Sequence, residues 1–259
     1  MLSLRNVDKV YVTMTEAAEA VSGISFDVQQ GEFVSLIGPS GCGKTTILSM
    51  IAGLMVPTKG EILLHGNTVK GPSRQTGYML QQDYLFPWLT IQQNAELGLR
   101  VSGALTSSVK EHVQELLVQM KLKDRAKSYP AELSGGMRQR AALVRVLATD
   151  PSLLLLDEPF SALDYQTKLK LEDLVSTTLK KHQKTAVLVT HDIGEAIAMS
   201  DRIYLLSSRP GRLFQTFSVP DNIRAKKPLE ARNDAGFQAL FQQIWKELEN
   251  VENEHANSP

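Results

Sequence analysis

The spacing of apolar and polar positions changes along this chain and divides it into zones. Near the amino terminus the pattern is extended. Positions 2–7 are rich in apolar residues, Ile24, Phe26 and Val28 alternate with Ser25 and Asp27, and the apolar run Phe33–Ile37 follows a turn at Gly31. Alternation places every second side chain on one face, so these segments predict β-strands. A glycine-dense loop occupies positions 38–43, and positions 45–54 predict a helix ending near Gly53, with Met50, Ile51 and Leu54 at helical spacing. Positions 61–64 and 78–80 are further strand candidates, with Gly60, Gly66, Gly71 and Gly77 marking the turns between them.

In the middle the period lengthens. Val113, Leu116, Leu117 and Met120 recur at i, i+3, i+4 and i+7 over a charged background, which predicts an amphipathic helix inside a helical insertion. A second helix is predicted from Ser134, with Met137, Ala141, Leu143, Val144 and Leu147 on it, stopping before Pro151. The run at 153–156 reads as a buried strand, and helix 169–179, strand 186–189, helix Ile193–Met199 and strand 203–206 follow. That alternation predicts an α/β fold, a parallel sheet covered by helices. A long apolar stripe through Phe237, Leu240, Phe241, Ile244, Trp245 and Leu248 predicts a last helix, with Asn233 or Asp234 as its N-cap. No repeat or low-complexity tract interrupts the pattern.

Composition narrows the function. With 259 residues, 42% hydrophobic and 22% charged, the chain can bury one substantial core. Lys plus Arg and Asp plus Glu both number 28, so no overall basic field favours nucleic acid, and none is expected as a partner. No apolar run approaches the roughly 18 to 20 residues that cross a bilayer. The first residues lack the layout of a signal peptide and Cys42 is the only cysteine, so a reducing cytoplasm is expected.

Candidate chemistry begins at Gly38-Pro39-Ser40-Gly41-Cys42-Gly43-Lys44-Thr45, which matches G-x-x-x-x-G-K-[ST] between a predicted strand and a predicted helix. Glycines let successive N–H groups turn inward around phosphates, and the helix start adds a positive dipole end. Lys44 then holds the β- and γ-phosphates and the Thr45 hydroxyl ligates Mg²⁺. The run Leu153-Leu154-Leu155-Leu156-Asp157-Glu158-Pro159 reads as a buried strand delivering Asp157 to that metal. Neighbouring residues on a regular strand face opposite ways, so Glu158 joins Asp157 only if the strand ends there, and Pro159 biases Glu158 away from helix. So placed, Glu158 orients and deprotonates a water. Cys42, beside a helix start, is expected to have a lowered pKa, and its alkylation to inactivate the enzyme unless MgATP protects it; a merely tolerated small residue is the alternative.

Leu133-Ser134-Gly135-Gly136-Met137-Arg138-Gln139-Arg140 offers a capped, anion-receptive second helix start. It lies 90 residues after Lys44 and 23 before Asp157, and there it resembles the signature motif of the ABC ATPases. The resemblance spans 1 to about 232, with the family's motifs in order. It implies a P-loop NTPase fold of the ABC type: a RecA-like parallel-sheet core, an N-terminal antiparallel β subdomain and a helical subdomain at about 89–150, followed by a C-terminal helix and tail at 233–259.

The resemblance also implies residue roles. Tyr11 is similar to the aromatic that stacks on adenine, a buried strand tyrosine being the alternative, and Thr46 joins the nucleotide contacts. Gln81, seven residues before Trp88, resembles the glutamine that reaches Mg²⁺ and the lytic water, with Gln82 as rival. Ser161-Ala162-Leu163-Asp164 is similar to the loop that crosses a dimer interface. His191, 33 residues beyond Glu158, resembles the switch histidine on the γ-phosphate. Glu158, His191 and Gln81 are thus the candidate catalytic residues. By the same resemblance two chains sandwich two ATP molecules, each offering Ser134, Gly135 and Gly136 to the other, and the Tyr84 to Leu89 stretch lines a groove for a helix of a membrane subunit. Met137 stands where the commonest signature has Gln. Such variants resemble the ATPases of nitrate, sulfonate and taurine importers, and Phe86-Pro87-Trp88 points the same way. The implied machine is peripheral to the cell membrane on its cytoplasmic side, driving permease subunits that a separate solute-binding protein serves. A non-transport ABC ATPase, or a switch that binds ATP without useful turnover, is the rival reading.

Overall fold

Two sheets meet around the helix that follows the phosphate loop. The computed structural model describes residues 1–12, 16–161 and 163–256, with side chains through 253. It opens with β1 (Leu2–Val12) and β2 (Ala17–Val28), which pair antiparallel, then β3 (Phe33–Ile37) and α1 (Lys44–Ile51). Strands β4 (Lys59–Leu64), β5 (Asn67–Thr68) and β6 (Thr76–Met79) precede helices α2 (Ile91–Val101), α3 (Ser107–Gln119) and α4 (Gly135–Leu147). Next come β7 (Leu153–Asp157), α5 (Tyr165–Lys181), β8 (Thr185–Val189), α6 (Ile193–Met199) and β9 (Arg202–Leu206). The described chain ends with β10 (Leu213–Ser218), α7 (Asp221–Arg224), α8 (Pro228–Ala231) and α9 (Ala235–Ala256).

The smaller sheet has the order β2-β1-β4-β5 and is antiparallel; the larger has the order β10-β9-β3-β8-β7-β6. All its strand pairs are parallel except that of β10, an edge strand antiparallel to β9. Strands β3, β7 and β8 are buried at every position, which explains why they read as continuous apolar runs. Alternation persists within them. Val34, Leu36, Leu153, Leu155, Val187 and Val189 pack with α1 and the antiparallel sheet. Phe33, Leu154, Leu156, Ala186 and Leu188 pack instead with the helices on the other face. Each fully buried aliphatic side chain stabilises the fold by about 1.5–3 kcal/mol.

The helical region bears out the amphipathic pattern, since Val113, Leu116, Leu117 and Met120 are all buried. Helix α2 has no counterpart among the sequence expectations. A capping box starts it, with Gln93 N–H donating to Thr90 Oγ1 (3.2 Å) and Thr90 N–H donating to Gln93 Oε1 (2.9 Å). Strand β10 also went unread. Its burial alternates, but the residues from Leu213 to Ser218 do not alternate apolar with polar. At α9 the Asp234 side chain accepts from Gly236 N–H (2.8 Å), deciding between the two N-cap candidates. No helix among the described residues is long and apolar enough to cross a membrane.

Candidate active site

Strand β3 delivers the chain into the glycine loop at the carboxyl end of the parallel sheet, where open α/β sheets bind ligands. Gly43 has φ +92° and is the N-cap of α1; a Cβ on it would collide with Val21 of β2. Only glycine fits both the left-handed backbone and the close approach, so the first turn of α1 has no side-chain cap. Lys44 is buried, and its Nζ donates to Gly38 O (2.8 Å) and Pro39 O (2.9 Å), inside the loop it closes. Cys42 Sγ lies 3.6 Å from that ammonium. The thiol is only 1% exposed, and burial pushes its pKa up against the opposing pull of Lys44. The expectation of a lowered, reactive thiol is therefore corrected: desolvation of a thiolate outweighs the neighbouring ammonium.

The second half of the site comes from β7. Asp157 Oδ1 accepts from Thr45 Oγ1 (3.2 Å) and Asp157 Oδ2 from the Tyr78 hydroxyl (3.3 Å). Burial raises the Asp157 carboxyl above its ordinary value, and these two hydrogen bonds resist the rise. Burial, with the Asp157 charge beside it, pushes Tyr78 up to about 12. The sequence reading missed Tyr78; its parallel pairing opposite Leu155 on β7 places it near the acidic end.

Regular strand geometry ends at Asp157, as the paired carboxylates require. Glu158 has φ +46°, a left-handed conformation that costs a non-glycine residue about 1–2 kcal/mol. Its N–H donates to Val189 O (2.9 Å), which pins the turn to β8. The Glu158 carboxylate thereby enters the site. Its Oε2 accepts from Gln81 Nε2 (3.1 Å) and lies 3.3 Å from His191 Nδ1. Gln81, and not Gln82, is thus the glutamine that meets Glu158. A carboxylate between an amide and an imidazole, next to a second carboxylate and a phosphate loop, can orient and deprotonate a water.

The loop bearing Gln81 is anchored to α4, a feature that spacing alone did not signal. Gln139 Nε2 donates to Gln81 O (3.2 Å) and Arg138 Nε to Asp83 Oδ2 (2.9 Å). Arg145 donates to the carbonyls of Asp83 and Tyr84 (2.7 Å each). Farther along, buried Asn94 accepts from Phe86 N–H (2.7 Å) and its amide lies 3.1 Å from Leu89 O. These bonds hold Tyr84 and Trp88 out in solvent, 58% and 69% exposed.

Tyr11 is exposed, which removes the buried-tyrosine alternative. Its hydroxyl lies 3.3 Å from Thr46 Oγ1 and donates to Met55 Sδ (3.1 Å), so the side chain reaches the first turn of α1. Of the remaining loop residues, Ser40 and Gly41 are exposed. Ser134 caps α4 by accepting from Met137 N–H (3.4 Å), and Asp164 caps α5 by accepting from Thr167 N–H (3.0 Å). A Cβ on Gly136 would lie 2.6 Å from Thr167 Cγ2 and 3.8 Å from Leu163 Cδ2. The Ser134 segment therefore packs against the first turn of α5 and the loop preceding it. Among the described residues no hydrogen bond or ion pair joins Ser134, Gly135, Gly136 or Asp164 to the phosphate loop. Ala162 lies outside the described residues.

A phosphate loop on a parallel sheet, with an acidic strand end opposite and a helical region carrying a second glycine-flanked helix start, is the fold and site of an ATP-hydrolysing cassette. Comparison with known proteins agrees. The family model described as ABC transporter matches residues 21–161. The ABC transporter ATP-binding protein YtlC of Bacillus subtilis (strain 168), itself uncharacterized, is 55% identical over 99% of this chain and 98% of its own length. The aliphatic sulfonates import ATP-binding protein SsuB of Bacillus licheniformis is 38% identical over 97% of this chain and 95% of its own. A dimeric structure of the ATP-binding cassette MJ0796, in a post-hydrolysis state with ADP and Pi, is similar with a TM-score of 0.75 and 33% identity. That similarity covers 85% of this chain and 99% of that one. The chain belongs to the ABC transporter family, as an ATP-binding subunit.

Proposed function

We propose that this chain is the ATP-hydrolysing subunit of an importer for a small solute of the nitrate, sulfonate or taurine kind. The carrying observation is the convergence of Gln81 and His191 on one oxygen of Glu158, beside the Thr45–Asp157 pair. Lys44 releases its bonds to Gly38 and Pro39 and grips the β- and γ-phosphates, and Tyr11 stacks on adenine. Gly38 and Pro39 open the loop around the phosphates, and Ser40 to Thr46 turn backbone N–H groups toward them. Glu158 takes the proton of the attacking water, Gln81 orients that water, and His191 steadies the γ-phosphate.

The donor set fits Mg²⁺. Thr45 and Asp157 offer a hydroxyl and a carboxylate 3.2 Å apart, the hard oxygens this cation prefers alongside phosphate oxygens. When bound there, Mg²⁺ neutralises charge on the phosphoryl group being transferred.

Ser134, Gly135, Gly136 and Asp164 serve a second copy's nucleotide, in a head-to-tail homodimer. Their separation from this chain's own phosphate loop supports that reading, as does the dimer reported for MJ0796. Residues 1–232 form the ATPase domain, with the helical subdomain at about 89–150 and a C-terminal helix and tail at 233–259. The subunit sits at the cytoplasmic face of the membrane and engages permease subunits through the exposed Tyr84 to Leu89 stretch; a solute-binding protein meets it only through them. The name of the SsuB relative supports import of this solute class. Co-purification with the permease, followed by ATP hydrolysis measured with and without solute-loaded binding protein, tests the reading. Stimulation by a sulfonate, taurine or nitrate is expected; a permease-independent rate that no solute changes contradicts it.

A further inference from the structure

Behind His191 lies a partly buried charge cluster that the reading above does not use, its Asp192 side chain being 40% exposed. Lys168 of α5 is 12% exposed, and its Nζ lies 2.8 Å from both Asp192 Oδ2 and Glu195 Oε2. Asp192 follows His191 directly and caps α6, its Oδ1 accepting from Glu195 N–H (2.9 Å) while its own N–H donates to Thr190 Oγ1 (3.0 Å). Glu172 of α5 is fully buried and pairs with Arg232 (2.7 Å), the residue that ends α8. An ammonium brought this far out of water must recover its solvation energy from its partners. Lys168, buried at its own end and bonded to both carboxylates, therefore ties α5 to the His191 segment more firmly than a fully exposed pair would.

The position of Lys168 in the chain gives this tie a function. It lies one turn beyond Asp164, the N-cap of α5, so the helix gripping the His191 segment begins at the loop assigned to the partner's face. A displacement of that loop would reach Asp192, at the start of α6, through α5 and the Lys168 ion pair. We propose that Lys168 is a positioning residue for ATP hydrolysis, linking the dimer-facing loop to His191 through the Asp192 carboxylate. The state of the tie is consistent with this: burial pushes Glu195 up to about 7. At Asp192 burial is outweighed by the hydrogen bonds from Lys168 and the Glu195 N–H together with the charges of Lys168 and Arg232, which keep that carboxyl below its ordinary value. Asp192 is thus ionised in neutral solution, and it shares the Lys168 ammonium with Glu195.

This inference rests on the role proposed for His191, so its test is a double-mutant cycle on the full chain. Steady-state ATP hydrolysis is measured for the parent, Lys168→Met, His191→Ala and the double variant, with thermal melts of all four. Lys168→Met keeps the volume and removes the charge. It is expected to lower kcat about tenfold while KM for ATP stays within about twofold, and to lower it less than about twofold further once His191 is absent. Lys168→Arg is expected to restore most of the rate. An equal fold-loss with and without His191, or no loss in the parent, overturns the proposal. An unchanged rate in His191→Ala overturns the His191 role itself, and this inference with it. Should Lys168→Met fail to fold, Asp192→Asn cuts the same tie from its other end, and the same sub-additivity with His191→Ala is required of it.

Discussion

The sole cysteine gives the phosphate loop its own reporter. An ordinary thiol, with pKa 9.0, is about 3% thiolate at pH 7.5, and burial holds Cys42 below that fraction. Because the side chain is 1% exposed, a reagent also waits for the loop to open. Local opening at a cost of about 2–3 kcal/mol slows labelling by roughly 30- to 150-fold. Ellman's reagent at pH 7.5 should therefore react with the native chain at least about 30 times more slowly than with a small free thiol. MgATP at 100 times its Kd, binding only the closed loop, should slow it by about a further hundredfold. A native rate within threefold of the free thiol, without nucleotide, would refute this reasoning. It would mean that the thiol is exposed and that the helix start governs its ionisation after all.

Three further outcomes follow from individual contacts. Lys44→Ala removes a charge-assisted grip on two phosphates, so calorimetric titration with a non-hydrolysable ATP analogue should show a Kd weaker by about 3 kcal/mol, roughly 150-fold; a change under threefold contradicts the role. Gly136→Ala drives a methyl to 2.6 Å from Thr167 Cγ2, an overpacking worth about 1–3 kcal/mol, and adding Thr167→Ser should recover most of the lost Tm; no recovery would place the strain elsewhere. Glu195 is raised to about 7 from an ordinary 4.5, so between these values the unfolded chain binds fewer protons than the native one and stability falls as pH rises. Lys168 and Glu172 on α5, and Asp192, are its charged neighbours. Relative to Glu195→Gln, the parent should lose on the order of 3 kcal/mol of unfolding free energy between pH 4.5 and 7; parallel pH profiles contradict this.

Legibility in the sequence tracked how local each cause is. The phosphate loop and the β7 run could be read because glycine spacing and continuous apolar burial are encoded in adjacent residues. Glu158 illustrates the next level. The proline after it signalled an irregular strand end, and the left-handed φ realises it. What could not be read depends on residues distant in the chain. Tyr78 reaches Asp157 because β6 and β7 are neighbours, and Arg138, Gln139 and Arg145 fasten the Gln81 loop across more than 50 positions. Cys42 shows the same limit. Its place in the motif suggested a reactive thiol, but its ionisation is governed by burial in the core that also contains Val21 and Leu206. Strand β10 and helix α2 were obscured by residues on the unexpected side: in β10 Gln215 is half-buried while Phe214 is exposed, and in α2 the face that buries Ile91, Ala95 and Leu99 also buries Asn94 and Glu96.

The central claim is that Glu158 is the base in an ATP site completed by a second copy of the chain. Sedimentation of Glu158→Gln with and without MgATP, alongside its steady-state hydrolysis, tests this most directly. The account predicts an ATP-dependent dimer that persists and a hydrolysis rate reduced by at least about a hundredfold. A monomer with ATP bound, or hydrolysis at the parent rate, would contradict it.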